Sequence, residues 1–330
     1  MAAPTRRPAR LRRIIRLSQL ELLAAIDHAE TLGAAAKATN ITQPAASRLL
    51  RTLADELGIQ LFERAGRTLR PTAAGKTLLR RANSIIVDID RIDKELAAID
   101  QGLTGQISIG SGVAACYVLI PTAVDLLLQS APRASIAIQE GPMEELVAKL
   151  RDGKIDLLVG RIENLGAHAD LVIEDLYDPP MTIVSGINNP LAARRNLSLS
   201  DLAQQQWILP EVGTPMRSAM EAMFRRAKTW PRVCVVESSS IQTNVGLLNR
   251  RTDLLWVLSE DIARYFEGLK QLKILAFPPS PGPSPFMMAH IRDRTPSPAV
   301  QKLAEALRSV AQKISTSKKS TRSRGARAKT

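Results

Sequence analysis

The sequence predicts a multidomain α + α/β chain: a small helical domain closed by one hairpin, a long helix, and a larger α/β remainder. Three observations predict it. Between Leu17 and Leu57 apolar residues recur at helical spacing in three short segments, each with a capping residue near its start. From Ala73 to about Gln101 the three-and-four period continues without a proline. Beyond Gly105, short apolar runs alternate with helical patterns. A chain of 330 residues can bury two or three cores, because domains run to about 100 to 200 residues.

In chain order, residues 1–14 carry Arg6, Arg7, Arg10, Arg12 and Arg13 with two prolines and read as a disordered basic arm. Ser18 opens a capping box with Glu21 reaching back, and the first helix runs to about His28 with Leu20, Leu23 and Ile26 on one face. Thr31 caps a short second helix whose Ala35 and Ala36 let another helix cross closely. After a turn at Asn40, Thr42 caps a third helix. Pro44 falls in its first turn, where a missing N–H costs nothing, and Gly58 ends it. Ala46, Leu50, Leu53 and Leu57 form its apolar stripe. The opposite face offers Gln43, Ser47, Arg48 and Arg51: an amide, a hydroxyl and two guanidiniums, the groups that hydrogen-bond base edges and phosphates in a major groove. Two short helices before a basic-faced third make a helix-turn-helix. IQLFE and TLRPT then form a hairpin, or wing, around Ala65 and Gly66, carrying Arg64, Arg67 and Arg70 toward a phosphate backbone.

Along the long helix, Leu78, Ala82, Ile85, Ile89, Ile92, Leu96 and Ile99 form a coiled-coil seam that one chain cannot bury. A second copy is the simplest partner, with Leu78, Ile85, Ile89, Ile92 and Leu96 as the dimerisation contacts. The α/β remainder reads as strand QISIGSG, a helix from about Ala114 to Gln129, strand SIAIQEG, helix PMEELVAKLRDG and strand KIDLLVG. MTIVSG, QWILPEVGTPMR, RVCVVESS and DLLWVL build a second lobe. Strand PFMMAHIR and helix AVQKLAEALRSVAQK close the ordered part. Strand and helix alternate, which implies largely parallel sheets. KKSTRSRGARAKT is compositionally a disordered, nucleic-acid-tethering tail.

Charge follows the same division. Of a formal +13, roughly +6 lies before residue 103 and about +7 after Gln312, leaving the middle near neutral. A basic module joined to a neutral domain points to a polyanion, nucleic acid before membrane surface. No run approaches about 18 apolar residues, and none opens the chain as a signal peptide does. The expected compartment is the cytoplasm. Cys116 and Cys234, far apart in apolar settings, imply reduced thiols rather than a disulfide.

Together these features resemble the LysR-type transcriptional regulators. The likeness over residues 17–102 rests on LSQLELLAAIDHA, the Ala35–Ala36 pair, TQPAASRLLRTL, LGIQLFER, PTAAG and the long linker helix. Leu32 stands where the family usually has Phe, and Ala54 where it usually has Glu. The resemblance implies a winged helix-turn-helix DNA-binding domain over 15–72 and a linker helix over 73–102. It then implies a two-lobed, periplasmic-binding-protein-like α/β effector domain. Lobe I would comprise 103–162 and 273–312, lobe II 163–272, with the chain crossing near Arg161 and returning near Lys273; 313–330 would be the basic tail. It further implies a dimer or tetramer on an interrupted palindromic DNA operator, answering to a small-molecule effector, with RNA polymerase a candidate partner. The N-terminal domain is similar to the branch controlling sugar uptake or aromatic-acid catabolism. Thr31, Thr42, Gln43, Pro44, Ser47, Arg48, Arg51, Arg64, Arg67 and Arg70 are the expected DNA contacts. Between the lobes the family holds effectors with helix N-termini and loop hydroxyls. Those positions here are Ser111, Gly112, Val113, Ala114, Pro142 and Met143, with Ser185, Thr214 and Ser239 from the second lobe. Val113 and Pro142 offer no hydroxyl.

Two readings of another class compete. Gly110, Gly112 and Ala115 spell a G-x-G-x-x-A after a strand, so a nucleotide-binding enzyme using GSGVAA is the alternative. Its acidic partner Glu140 lies about 30 residues on instead of about 20. The other is an architectural DNA binder without an effector. Gly75, Lys76 and Thr77 make no P-loop, because Arg70 replaces its first glycine. His28, His168 and His290 have no metal spacing, and no nucleophile sits beside a base. No cofactor, metal or catalytic residue is expected.

Overall fold

The structure, a computed structural model, describes residues 14–29, 31–65, 68–100, 105–226 and 233–327. The basic arm before Ile14 and Arg67 of the wing lie outside the described residues. The chain divides into two compact units, 1–106 and 107–330.

In the first unit α1 (Leu17–His28), α2 (Leu32–Ala38) and α3 (Gln43–Leu57) pack around Leu22, Leu23, Ala35, Ala36 and Leu53, each at most 1% exposed. At that burial a leucine stabilises the fold by about 1.5–3 kcal/mol. The α2 cap is Thr31, whose Oγ1 accepts the Ala34 N–H at 3.2 Å. The α1 cap is not the expected one. Arg16 holds the N-cap position, and its N–H donates to Gln19 Oε1 at 2.8 Å. Starting two residues before Ser18 lets the buried Gln19 amide, instead of Glu21, satisfy the free donor. Strands β1 (Phe62–Ala65) and β2 (Thr68–Pro71) pair antiparallel, Glu63 opposite Arg70 and Arg64 opposite Leu69. Thr72 then joins the wing to α4 (Ala73–Asp100). Its Oγ1 donates to Gln60 O at 2.8 Å and accepts the Gly75 N–H at 3.1 Å.

α4 departs from a single seam. Leu79 and Ala82 are buried in the first unit's own core, and Leu78 packs beside them, because α1 lies along this end of the helix. Ile89 is half-buried, while Ile85, Ile92 and Leu96 are 43%, 55% and 59% exposed.

The second unit holds two five-stranded sheets. The first contains β3 (Gly105–Ser111), β4 (Ala134–Glu140), β5 (Leu157–Gly160), β6 (Leu171–Tyr177) and β12 (Phe286–Ile291), in the order β4-β3-β5-β12-β6. The second contains β7 (Met181–Ser185), β8 (Gln206–Leu209), β9 (Val233–Glu237), β10 (Leu254–Ser259) and β11 (Lys273–Ile274), in the order β11-β7-β10-β8-β9. Both sheets are mixed. β3 with β5, and β8 with β9 and β10, run parallel, whereas β12 and β7 run antiparallel to their neighbours. Alternate residues serve opposite faces: Leu255 and Val257 join one core, Leu254, Trp256 and Leu258 the other.

Three boundaries shift from expectation. The crossing between lobes comes after Tyr177 and not near Arg161, because LVIEDLY forms an edge strand on β12. Its acidic pair hides it in the sequence, yet Glu174 is held by Arg308 at 2.8 and 2.9 Å. The return comes after Ser280 and not near Lys273, since β11 pairs with β7 and Ser280 still bridges Met181 of that strand. The helix expected from Ala114 is a 3₁₀ turn, Val113–Cys116, followed by α5 (Leu119–Ser130), which places Pro121 in a first turn. The last helix, α11 (Pro298–Arg327), buries Leu303 and Leu307 completely on lobe I and continues through residues expected to be disordered. Apart from Gly325 nothing there breaks a helix.

Candidate nucleic-acid interface and effector cleft

α3 presents its polar face as the sequence predicts. Thr42 Oγ1 accepts the Ala45 N–H at 3.4 Å, and Gly58 closes the helix at φ 64°. That left-handed conformation suits glycine. Gln43, Pro44, Arg48 and Arg51 are exposed and Ser47 is half-buried, while Ala46, Leu50 and Leu53 are buried on the other side. Thr31 belongs to the same patch. A Cβ built on Gly33 would stand 3.6 Å from Gln43 Oε1 and 3.9 Å from Thr31 Oγ1, so the start of α2 and the start of α3 form one surface. Arg70 is exposed on β2, and Arg64 lies on β1 across the hairpin. The exposed groups are amides, hydroxyls and guanidiniums, suited to phosphates and base edges.

The second unit has its cleft between the two sheets, at the carboxyl ends of their parallel strands, where open α/β sheets bind ligands. β5 delivers Arg161, β8 Pro210, β9 Ser238 and Ser239, and β10 Ser259 to a cavity of about 180 Å³. Met181, Met216, Ile241, Trp256 and Ile262 give it an apolar wall. Of the nine expected effector residues, Ala114, Thr214 and Ser239 line this cavity. Thr214 spends its hydroxyl on its own turn: Oγ1 donates to Glu211 O at 2.8 Å and accepts the Arg217 N–H at 3.2 Å, starting α8 (Pro215–Arg226).

The other six lie elsewhere. Ser111 and Ser185 are fully buried, and each donates its hydroxyl to the next residue's carbonyl, Gly112 O at 3.1 Å and Gly186 O at 3.0 Å. Ser185 also ends β7 at the opposite end from Met181, which lines the cavity. Val113 is exposed without joining the lining, and Pro142 is the exposed N-cap of α6 (Met143–Arg151). Met143 packs across Gly112: its methyl would lie 3.2 Å from a Cβ there and 2.3 Å from one at Gly160. This also removes the GSGVAA alternative. The space a pyrophosphate would need beside Gly112 is filled by that thioether, a Cβ at Gly110 would meet Ile155 at 2.4 Å, and no α-helix begins at the loop.

Sequence reasoning missed Arg161, Ser238, Ser259 and Trp256. The one available signal was position, since Arg161, Ser238 and Ser259 each stand at or just beyond a strand's carboxyl end. The Arg161 guanidinium donates to Ser284 O and lies 4.4 Å from the Phe286 ring centroid. Burial pulls its pKa down, and the charges of Asp261 and Asp178 act against that. Phe286 stacks on Tyr177 at 5.1 Å, and Tyr177 OH donates at 2.6 Å to Asp261 Oδ2 in α10 (Glu260–Gly268) of lobe II. Burial, then the Asp261 charge, push the Tyr177 phenol far above its ordinary range, so it stays protonated and remains the donor. Tyr117 adds a second contact between lobes, its ring 5.3 Å from Phe266 and 6.0 Å from Tyr265.

Residues 17–76 match the bacterial regulatory helix-turn-helix protein, LysR family, and residues 100–312 match the LysR substrate binding domain. The chain is 29% identical over 308 residues to the HTH-type transcriptional regulator GbpR of Azospirillum brasilense, covering 92% of this chain and 90% of that one. It is 28% identical to the HTH-type transcriptional regulator GalR of Pseudomonas putida, covering 75% of this chain and 62% of that protein. Among solved structures, a full-length OxyR variant from Pseudomonas aeruginosa has the same fold, with a TM-score of 0.57 at 23% identity, covering 90% of this chain and 97% of that one. CbnR bound to its target DNA does too, with a TM-score of 0.51 at 19% identity, covering 90% and 100%. The matched families and relatives are transcriptional regulators, not enzymes. With both family domains matched in order, the chain belongs to the LysR family of transcriptional regulators, a DNA-binding helix-turn-helix joined to an effector-binding domain.

Proposed function

We propose that the protein is a ligand-responsive regulator that binds an interrupted palindromic operator as a dimer or dimer of dimers. α3 lies in the major groove, with Gln43, Ser47, Arg48 and Arg51 toward the bases and phosphates. Thr31, Thr42 and the Pro44 turn abut the backbone, and the wing arginines Arg64, Arg67 and Arg70 follow it. Two copies joined along α4 present two such helices to a two-fold site. A small molecule held between the lobes alters operator occupancy, and RNA polymerase is the partner through which that reaches transcription in the cytoplasm. The observation that carries this reading is the exposed Gln43–Arg51 face on a doubly capped helix whose other side is buried.

The test is Arg48→Ala against the operator, with Lys302→Ala on the exposed side of α11 as control. Fluorescence anisotropy should show a loss of about 1–3 kcal/mol in operator binding for Arg48→Ala alone. Equal affinity in both variants removes α3 from the interface.

A further inference from the structure

The proposed effector cleft has a one-sided chemistry. Its polar lining consists of one guanidinium and hydroxyls: Arg161, Ser238, Ser239, Ser259 and the already engaged Thr214. No carboxylate and no side-chain amide lines it. Among the described residues no carboxylate approaches Arg161 within ion-pair distance, and its one polar partner is the Ser284 carbonyl. Its positive charge is therefore desolvated in the cleft wall without a carboxylate in direct contact, and Asp261 and Asp178 act on it only from beyond ion-pair distance. Ser259 makes the same point independently. It is 4% exposed and lines the cavity, yet its hydroxyl caps nothing and has no hydrogen-bond partner among the described residues. Its oxygen is not among the enclosed side-chain atoms that lack a partner, so the hydroxyl opens into the cavity and is free to meet a ligand there. Ser238 accepts the Ser240 N–H at 3.2 Å, which leaves its own proton to donate, and Ser239 is exposed at the rim. The rest of the lining is apolar, Met181, Met216, Trp256 and Ile262 among it.

From this arrangement we propose that the effector is a small organic carboxylate with an apolar body, its carboxylate received by Arg161 and the Ser238, Ser239 and Ser259 hydroxyls. The inference rests on the reading of this cleft as the effector site and narrows it. A neutral polyol would bring many hydroxyl protons to a lining that lacks the carboxylates and amides able to accept them. A carboxylate brings only acceptors, pairs with a guanidinium in the strong charge-assisted manner, and leaves its hydrocarbon against the methionines and Trp256.

The experiment is thermal denaturation and calorimetric titration of the full-length protein, at constant ionic strength, with matched pairs: benzoate and benzamide, 3-phenylpropanoate and its amide, hexanoate and hexanamide. Galactose and arabinose are the neutral comparison. At least one acid should raise Tm with concentration while its amide and the sugars do not. Its affinity should fall about thirtyfold or more in Arg161→Gln, as for truncating one partner of a buried charged pair, recover in part in Arg161→Lys, and weaken in Ser259→Ala. Amides or sugars binding as well as the acids, an acid bound equally by Arg161→Gln, or no acid bound at all would each overturn the carboxylate assignment. The effector reading fails separately. Neutral compounds that bind and lose affinity in Ser259→Ala leave the cleft as the effector site with another ligand class, whereas a protein that answers to neither set loses both.

Discussion

Gly75 shows what a single residue decides in the first unit. A Cβ there would stand 2.0 Å from the Leu61 carbonyl oxygen, where backbone cannot yield. The PTAAG turn therefore owes its glycine to the close approach of α4 to the wing entry. Gly75→Ala should cost about 1–3 kcal/mol of unfolding free energy in urea, as overpacking does, and unchanged stability would mean that the two segments do not touch as described. At the same scale the sequence misleads about hydroxyls. Ser111 ends β3 and Ser239 follows β9, and nothing local in the sequence separates the one that bonds its neighbour's carbonyl from the one that lines the cavity. Arg161 was missed for the converse reason: its role depends on Phe286 and Ser284, more than 120 residues away in sequence.

At the scale of elements, periodicity was legible wherever one partner absorbed the whole apolar face. α3 is the clear case, its cap, proline, stripe and terminating glycine all read directly from ITQPAASRLLRTLADELG. α4 was only half legible, because its stripe serves two partners in succession. The α1 side takes Leu79 and Ala82, leaving Ile85, Ile92 and Leu96 to solvent within one chain. Ile92→Lys should therefore leave the first unit folded and shift the protein toward monomer in sedimentation, and an intact dimer would deny the seam. β6 was illegible because Glu174 and Asp175 look wrong for a strand until Arg308 and the pairing with β12 are known. The order of the remaining long strands followed from alternation, but β6, β11, the helices Leu199–Ala203, Ile241–Leu248 and Glu260–Gly268 and the crossings did not, since edge strands are assigned by the neighbour they pair with.

Across the effector-binding unit, the lobes are tied where the chain passes between them. Tyr177 ends the first lobe's edge strand and reaches Asp261 of the second, whose Oδ1 is buried without a partner among the described residues. Tyr177→Phe would strip the remaining hydrogen bond described for that carboxylate, at about 1–3 kcal/mol for a buried group left unsatisfied. Chemical unfolding of the variant checks this, and a change under half a kcal/mol would show the link to be incidental. The central claim, that this is a sequence-specific regulator working through α3, is tested most directly by one binding titration. The purified protein is titrated at fixed salt against a library of upstream regions from its own genome, including that of its own gene, with scrambled duplexes as competitors. At least one region should bind about a thousandfold more tightly than its scrambled counterpart, and equal, similarly salt-dependent binding to every duplex would contradict the account.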